Sequence, residues 1–356
     1  MRLLIITPSG LEEMGGVETQ HRYLLTVSSR RCWDVQLASP ANSHFVNGTS
    51  FTDIKNGPVV CLYESLLKQP DQFWHSFDLC YFVPRVTSTR TSKLQVNILE
   101  RCDRLGVKVL LRITSTGRLR ELMFDHGWKL TSNSCIVGLL ALNEAIAREI
   151  VDCGFSSKSV IPIRNGVDIS LFFPACEHPS LPLKFLSVSR FTPAKRVGLL
   201  LQHWLKSSAS RLGATLSIVG ATRAADLADD LPSPNLVPAV NWLGACDRGK
   251  LGQVYRDNHV FVSFSRTEGM SNAMLEAMAC GLPVLAPLMA HTSKLLQQQL
   301  PLLFNPANEI NPFDLALNLQ GQLAQFGRSN SEVVARSHTL DATEELLDIM
   351  SALASK

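Results

Sequence analysis

The sequence of 356 residues carries a formal net charge of +3, with 46% hydrophobic and 18% charged residues. The length predicts about two domains, and the composition is that of an ordinary globular protein with enough apolar residues to build their cores. The small net charge gives no reason to expect a nucleic-acid partner, and no apolar run of about 18 residues predicts a membrane span.

The nine cysteines are widely spaced, lie mostly in apolar runs and form no C-x-x-C pair. This usage predicts reduced thiols in a cytoplasmic protein and argues against a structural zinc site. The N-terminal apolar run, Leu3 to Ile6, is too short for the core of a signal peptide, so we expect it to be a buried strand.

The first half of the chain alternates between predicted strands and helices, which is typical of a doubly wound parallel sheet. The first strand, Leu3–Thr7, leads into a glycine-containing loop and a helix from about Val17. This loop lacks the G-x-G-x-x-G pattern of dinucleotide-binding proteins, which argues against a dehydrogenase. Further strands are predicted at Val59–Tyr63, Leu79–Val83, Lys108–Ile113 and Cys135–Leu142.

A predicted helix, Ser92 to Leu105, has one apolar face and one basic face. Residues 85–120 contain nine Lys and Arg residues but only two acids. The basic face is either a solvated helix surface or a contact for an anionic membrane or a phosphate-bearing acceptor. The second interpretation predicts peripheral binding at the inner face of the membrane.

The second half begins after a proline-containing linker, Pro174 to Pro182. Its first predicted strand, Phe185–Val188, ends in a segment that holds Arg190 and Lys195. Two cations at a strand–helix junction suit a diphosphate, since arginine offers a planar fork and lysine a point charge.

A second junction of the same kind runs from Ser263 to Gly281. A short strand ends there, a polar loop follows, and Ser271 or Asn272 caps a helix of good helix formers. The loop and the helix N-terminus together predict an anion-binding site. Glu268 and Glu276 flank this turn, and a carboxylate suits the vicinal hydroxyls of a sugar.

The segment E-G-M-S-N-A-M-L-E-A-M-A-C-G-L-P-V closely resembles the donor-site motif of the retaining family 4 glycosyltransferases, which have the GT-B fold. Four other stretches resemble that family in matching order: the G-G-V-E loop at residues 15–18, N-G-V-D at 165–168, the R-x4-K pair, and N-W-L-G at 241–244. The resemblance covers most of the chain.

The resemblance implies an α/β protein of two Rossmann-like doubly wound parallel-sheet domains that face a cleft, with a C-terminal helix that crosses back to the first domain. The implied boundaries are an acceptor-side domain at residues 1–173, a nucleotide-sugar donor domain at 174–335, and the returning helix at 336–356.

The resemblance also implies roles for single residues. It assigns catalysis to Arg190, Lys195 and Glu268. Donor binding involves these three residues together with Gly16, Gly244, Gly269, Met270, Ser271, Asn272 and Glu276. The loop after the fourth strand, with Thr114, Ser115 and Arg118, is expected on the acceptor side, but it lacks the histidine that many family members carry there.

The implied reaction moves a sugar from a UDP- or GDP-linked donor to an acceptor hydroxyl, in the synthesis of a surface glycan, glycolipid or other glycoconjugate. No cofactor and no metal is expected, because two fixed cations serve the leaving diphosphate and the sequence has no D-x-D triplet. Three alternatives stay open at this stage: a nucleotide-sugar epimerase of the same fold, a phosphorylase-like enzyme or sugar-phosphate synthase that uses Arg118 and Arg120, and a partner subunit without turnover that binds nucleotide sugars.

Overall fold

The computed structural model describes residues 1–8, 15–39, 59–175, 181–220, 237–307 and 310–355. The chain forms two compact units, Met1–Gly166 with Leu340–Lys356, and Val167–Thr339.

The first unit is a six-stranded sheet with every strand pair parallel, in the order β2-β1-β3-β4-β5-β6. Its strands are almost wholly apolar and buried, as expected for a parallel sheet that helices cover on both faces. The elements in chain order are β1 (Arg2–Ile6), α1 (Gly16–Arg30), β2 (Asp34–Ala38), α2 (Val59–Lys68), α3 (Asp71–His75), β3 (Leu79–Phe82), α4 (Thr89–Leu105), β4 (Val109–Ile113), α5 (Arg118–Arg120, continued by a π-turn at Glu121–Asp125), β5 (Ile136–Ala141), α6 (Glu144–Asp152) and β6 (Val160–Pro162).

The second unit is another six-stranded parallel sheet, in the order β12-β11-β10-β7-β8-β9. Its elements are β7 (Lys184–Val188), α7 (Val197–Lys206), β8 (Thr215–Val219), β9 (Val240–Gly244), α8 (Arg248–Arg256), β10 (Val260–Val262), α9 (Asn272–Ala279), β11 (Val284–Pro287), α10 (Ala290–Leu295), β12 (Leu303–Phe304), α11 (Pro312–Asn318) and α12 (Leu323–Ser337). Because all pairs are parallel, the loops that follow these strands gather at one edge of the sheet.

The last helix, α13 (Asp341–Ser355), packs on the first unit against α1 and β3, as the predicted fold class requires. Its apolar face, with Leu346, Leu347 and Met350, is buried. Arg31 of α1 forms ion pairs with Glu344 at 2.5 Å and with Asp348 at 2.6 Å. The fold class is therefore two doubly wound units with a returning helix; the cleft between the units stays a prediction. The first unit ends at Gly166, where the predicted boundary stood at residue 173.

One strand prediction is wrong: Val59–Tyr63 is the first part of helix α2 and not a strand. The β-branched start V-V suggested a strand, but Leu62, Tyr63 and Leu66 recur at helical spacing and are fully buried. Packing of this stripe against α4 outweighs the weak local strand preference. The sequence also predicts one helix at Pro312–Phe326, but α11 ends at Asn318 and α12 begins at Leu323.

The described cysteines are all free thiols, as predicted; Cys176 lies outside the described residues. Among the described helices, we find none with both the length and the apolar character needed to cross a membrane.

Candidate functional site

The two strand–helix junctions that carry the predicted donor residues lie side by side in the second unit. Strands β7 and β10 are direct neighbours, with Phe261 paired to Leu186. Their following loops are joined by a hydrogen bond of 2.8 Å from the Arg266 amide to the Ala194 carbonyl. The segment that holds Arg190 and Lys195 and the loop that holds Glu268 therefore share one edge of one sheet.

The local sequence shapes the first junction. Thr192 is the N-cap of a single 3-10 turn, Pro193–Lys195, and proline suits its first position because no backbone N–H is needed there. Arg196 then takes a left-handed conformation with φ of 51°, and α7 begins at the next residue. This turn brings the Lys195 ammonium into an ion pair with the Glu268 carboxylate, and both side chains are mostly buried.

The Arg190 side chain differs from Lys195. It is half-buried and makes no hydrogen bond or ion pair within the described part of the chain. A half-buried guanidinium with five donors and no such partner is ready to receive an anion. The structure thus brings Lys195 and Glu268 into contact and leaves Arg190 at the same edge, unpaired among the residues it describes.

The neighbouring strands approach this edge closely. The Gly220 amide, just after β8, donates to the carbonyl of Gly244 at 2.8 Å, and a Cβ at Gly220 would stand 1.9 Å from the Ser189 carbonyl oxygen. Gly244 has a φ of +65°, which favours glycine. Beside them, the Trp242 ring packs edge-on against Phe191 at 5.8 Å. Only glycine fits at Gly220, because the backbone after β7 lies against it.

Helix α9 begins at the predicted position, and its N-terminus follows directly on the loop of Glu268. Ser271 is the N-cap and accepts a hydrogen bond from the Met274 amide at 3.4 Å. Gly269 and Met270 lead into the cap, and Asn272 is the first helical residue and is buried. The predicted arrangement of strand, polar loop and helix N-terminus is therefore present.

Glu276 is more deeply buried than its predicted role suggested. It lies one turn inside α9, and only 5% of its side chain is exposed. Its Oε1 atom pairs with Arg248 Nη2 at 3.0 Å, and its Oε2 atom accepts a hydrogen bond from the Tyr255 hydroxyl at 3.1 Å. Burial raises the pKa of the Glu276 carboxyl above its ordinary value, while Arg248 and Tyr255 oppose that rise.

The sequence reasoning missed Arg248 and Tyr255, which both lie on α8. Asp247 is the N-cap of that helix and accepts a hydrogen bond from the Gly249 amide at 2.7 Å. In the sequence alone, D-R-G-K has the composition of a surface turn, which hid the role of Arg248. The guanidinium of Arg248 also lies 5.1 Å from the centre of the Phe172 ring. The spacing of Arg248 and Tyr255, seven residues on one helix, was the available signal, because it predicts a shared face.

In the first unit, the predicted acceptor-side loop follows β4. Thr114 and Ser115 are half-buried, and Arg118 pairs with Glu121 at 2.6 Å. The buried carboxylate of Glu149 accepts from the amides of Gly117 at 2.6 Å and Arg120 at 3.0 Å. These amides at the start of α5 are thus already occupied by a protein carboxylate. The Arg120 side chain pairs with Asp152 at 2.9 Å, so both arginines have a carboxylate partner, and their acceptor-side role stays a prediction.

Gly16, the remaining predicted donor residue, is the first residue of α1. A Cβ at the preceding Gly15 would stand 2.2 Å from the Glu18 Oε2 atom, so a larger residue there would displace the end of the Glu18 side chain. Glu18 itself is buried.

A buried arginine that the sequence reasoning did not single out lies just before the acceptor-side loop. Arg112, in β4, donates to the Tyr81 hydroxyl at 2.8 Å and to the Asn165 side-chain oxygen at 2.7 Å, with no carboxylate partner among the described residues. His21 packs edge-on against Tyr81, and burial, followed by the Arg112 charge, lowers the pKa of His21 to about 3. A charged residue inside the apolar strand V-L-L-R-I was the available signal.

The basic face of α4 is largely neutralised by its neighbours. Arg90 pairs with Glu64 of α2, Arg101 pairs with Asp71 at 2.7 Å, and Arg104 lies 3.6 Å from the same carboxylate. These ion pairs join α4 to α2 and α3. They leave less unpaired positive charge to attract an anionic membrane. A membrane contact stays a prediction.

No group of three or more metal-ligating side chains stands together in the described ranges. The site as described is one of cations, carboxylates and backbone amides.

Known proteins resemble the part of the chain that contains this edge of the second sheet. Residues 182–317 match the family model described as glycosyl transferases group 1. Over 187 residues, the chain is 26% identical to an Arabidopsis thaliana protein named as a subunit of phosphatidylinositol N-acetylglucosaminyltransferase, a match that covers 51% of this chain and 40% of that protein. The aligned part is thus less than half of this relative.

Solved structures resemble the whole chain. A sucrose-phosphate synthase from Thermosynechococcus elongatus has a TM-score of 0.79 and 14% identity, with 99% of each chain covered. Anabaena HepE in complex with UDP-glucose has a TM-score of 0.74 and 15% identity, with 99% of this chain and 100% of that chain covered. This likeness establishes the GT-B fold.

Proposed function

We propose that this protein transfers a sugar from a nucleotide diphosphate sugar to an acceptor hydroxyl. The proposal starts from the match of residues 182–317 to the group 1 glycosyl transferases and from the GT-B fold of the whole chain. The observation that carries the proposal is the pair of adjacent junctions in the second unit. There Arg190 has no partner among the described residues, Lys195 contacts Glu268, and the N-terminus of α9 follows.

The chemistry follows from the charges at this edge. Transfer breaks the bond between the anomeric carbon and the diphosphate oxygen, and the electron pair stays on the leaving diphosphate. Arg190, Lys195 and the amides from Gly269 to Asn272 stabilise that developing charge. The acceptor oxygen forms the new bond to the anomeric carbon, and its proton passes to the leaving diphosphate. Fixed cations can serve the diphosphate without a metal ion, and the proposal therefore includes none.

Glu268 and Glu276 have different roles in the proposal. Glu268 faces the donor sugar or the positive charge that develops at the anomeric carbon, and Lys195 orients it in the absence of donor. Glu276 accepts from the ribose diol. Retention of configuration, a hexose donor and a role in glycoconjugate synthesis come from the family resemblance. HepE, whose structure contains UDP-glucose, supports a uridine donor, with GDP as the other candidate.

A second candidate is a donor-binding component of a larger transferase. The Arabidopsis relative is named as a subunit, and the loop Thr114–Gly117 has no histidine. In this case the nucleotide sugar binds in the same place, and turnover requires another chain.

The test has two stages. Thermal unfolding is measured with UDP and GDP, because a ligand at about 100 times its dissociation constant adds about 2.7 kcal/mol to the stability. Release of the nucleotide from UDP-glucose, UDP-N-acetylglucosamine and GDP-mannose is then followed with the purified chain. Binding with turnover supports the transferase, whereas binding without turnover supports the donor-binding component. The absence of binding contradicts both.

Arg190→Gln is expected to lower kcat about a hundredfold with a smaller change in KM, since its charge matters most when the diphosphate leaves. Arg211→Gln, an exposed arginine of the same unit, is the matched control and should leave both constants unchanged. Equal kinetics for the two variants would contradict the role of Arg190.

A further inference from the structure

The carboxylate of Glu276 is fixed before any ligand arrives. Both of its oxygens have a protein donor: Arg248 at 3.0 Å on Oε1 and Tyr255 at 3.1 Å on Oε2. Each carboxylate oxygen has further acceptor capacity, so these two bonds orient the group without using it up. Because both of its oxygens are bonded, the buried Glu276 carboxylate has a single orientation.

The two donors are themselves held in place by packing. The Arg248 guanidinium stands over Phe172, and the Tyr255 ring packs edge-on against the same Phe172 at 5.8 Å. The Tyr255 hydroxyl also lies 3.1 Å from the Ala273 carbonyl of α9. Phe172, Arg248, Tyr255 and Glu276 therefore form one packed group within the second unit, which we call the α8 clamp.

We infer that Arg248 and Tyr255 are positioning residues for nucleotide binding: they hold Glu276 ionised and oriented so that it accepts both hydroxyls of the ribose. The inference rests on the proposed function and extends it to two residues outside the motif that suggested it. Arg248 and Tyr255 act through Glu276 and need not touch the ligand.

Charge explains why the arginine of the α8 clamp matters more than the tyrosine. A buried carboxyl that loses its neighbouring cation tends to bind a proton, and a protonated carboxyl is a poorer acceptor for two hydroxyls. Arg248 and Tyr255 of α8 are the titratable groups that act on Glu276, and Cys280, just after α9, acts on Tyr255. The charged residues of the adjacent helix α12 are all exposed: Arg328, Glu332 and Arg336.

The test compares two ligands. Calorimetry measures the affinity of the parent chain and R248Q for UDP and GDP, and for the 2′,3′-dideoxy form of whichever binds more tightly. We expect R248Q to lose about tenfold or more for the full nucleotide and little for the dideoxy form, which lacks both hydroxyls. R256Q is the matched control, since Arg256 lies on the same helix, stands 4.1 Å over Phe173 and bonds to Leu171 and Gln253 rather than to Glu276.

The pH profile separates positioning from simple damage. Without Arg248 the pKa of Glu276 rises further, so the nucleotide affinity of R248Q relative to the parent should increase as the pH is raised through that pKa. Its stability should fall over the same range, because a raised carboxyl pKa makes the folded state bind more protons than the unfolded state. Structural damage alone would make affinity and stability fall together.

The outcomes are distinct. Selective loss for the full nucleotide with opposite pH trends supports the inference. Equal losses for both ligands, or parent-like affinity of R248Q, overturns it while the proposed function stands. The absence of nucleotide binding by the parent overturns the proposed function and this inference with it. If R248Q does not fold, Y255F carries the same comparison, because it removes one donor and keeps the ring; parent-like binding of both ligands by Y255F then overturns the inference.

Discussion

At the scale of single residues, the site differs from a set of free side chains awaiting a ligand. Lys195 already pairs with Glu268, and Glu276 already pairs with Arg248, whereas Arg190 has no partner in the described chain. Before any ligand binds, the lysine of the R-x4-K pair is therefore already in an ion pair, and the arginine is not, among the described residues. Binding of a diphosphate at Lys195 competes with its bond to Glu268, but binding at Arg190 breaks no contact that the described residues make.

This difference predicts opposite effects on UDP affinity. Lys195→Met should weaken binding about tenfold, the value of one charge-assisted hydrogen bond. Glu268→Gln should bind UDP as tightly as the parent or more tightly, because Lys195 is released for the diphosphate, but its turnover should fall. Lys206→Met, an exposed lysine on α7, is the control. Calorimetry with UDP checks this, and a weaker affinity in Glu268→Gln would show that Glu268 itself binds the nucleotide.

At the scale of elements, the second unit depends on close contact between α12 and the turn that ends α9. A Cβ at Gly327 in α12 would stand 2.0 Å from the carbonyl oxygen of Gly281. A buried amide network supports the same contact, with Asn330 donating to the Leu282 carbonyl at 2.8 Å and accepting from Gln299 at 2.9 Å. Because α12 packs on α9, it supports the helix whose N-terminus we propose to bind the donor.

Gly327→Ala should therefore destabilise the second unit by about 1–3 kcal/mol, since the helix must move to admit the methyl group. Gly321→Ala is the matched control: no described atom lies within 4 Å of a Cβ there, and its stability should change by less than about 0.5 kcal/mol. Urea unfolding, read as a shift in midpoint at constant slope, measures both. Equal midpoints would show that α12 has room to move.

At the scale of the whole molecule, the chain returns to its first unit at the end. Helix α13 follows the second unit in sequence but packs on α1 and β3. Two kinds of contact hold it there: a buried apolar face and several ion pairs, including Arg164 with Glu345 at the surface. Apolar burial has the larger free energy, because exposed ion pairs are screened by water and salt.

Leu347→Ala should accordingly destabilise the first unit by about 2–5 kcal/mol, since Leu347 is fully buried in α13. Glu345→Gln, which removes an exposed ion pair on the same helix, should cost less than about 1 kcal/mol. Hydrogen exchange of β3 and α1 amides reports on this unit directly. If the two variants destabilise equally, ion pairs rather than burial hold the helix in place.

The sequence by itself determined the elements whose signals are local. The cap at Ser271 and the apolar strands predicted elements that the structure contains, including the two junctions. Each depends on residues within a few positions, so the pattern is readable without the fold.

Only the tertiary structure decided the remainder. The helix at Val59, the bond of Lys195 to Glu268, the burial of Arg112 and the two donors on Glu276 all arise between segments far apart in the chain. Burial in the folded protein decides each of them. It raises the free-energy cost of an unpaired charge, and it outweighs the weak local preference for strand over helix. Spacing in sequence holds no information on which distant group becomes the partner.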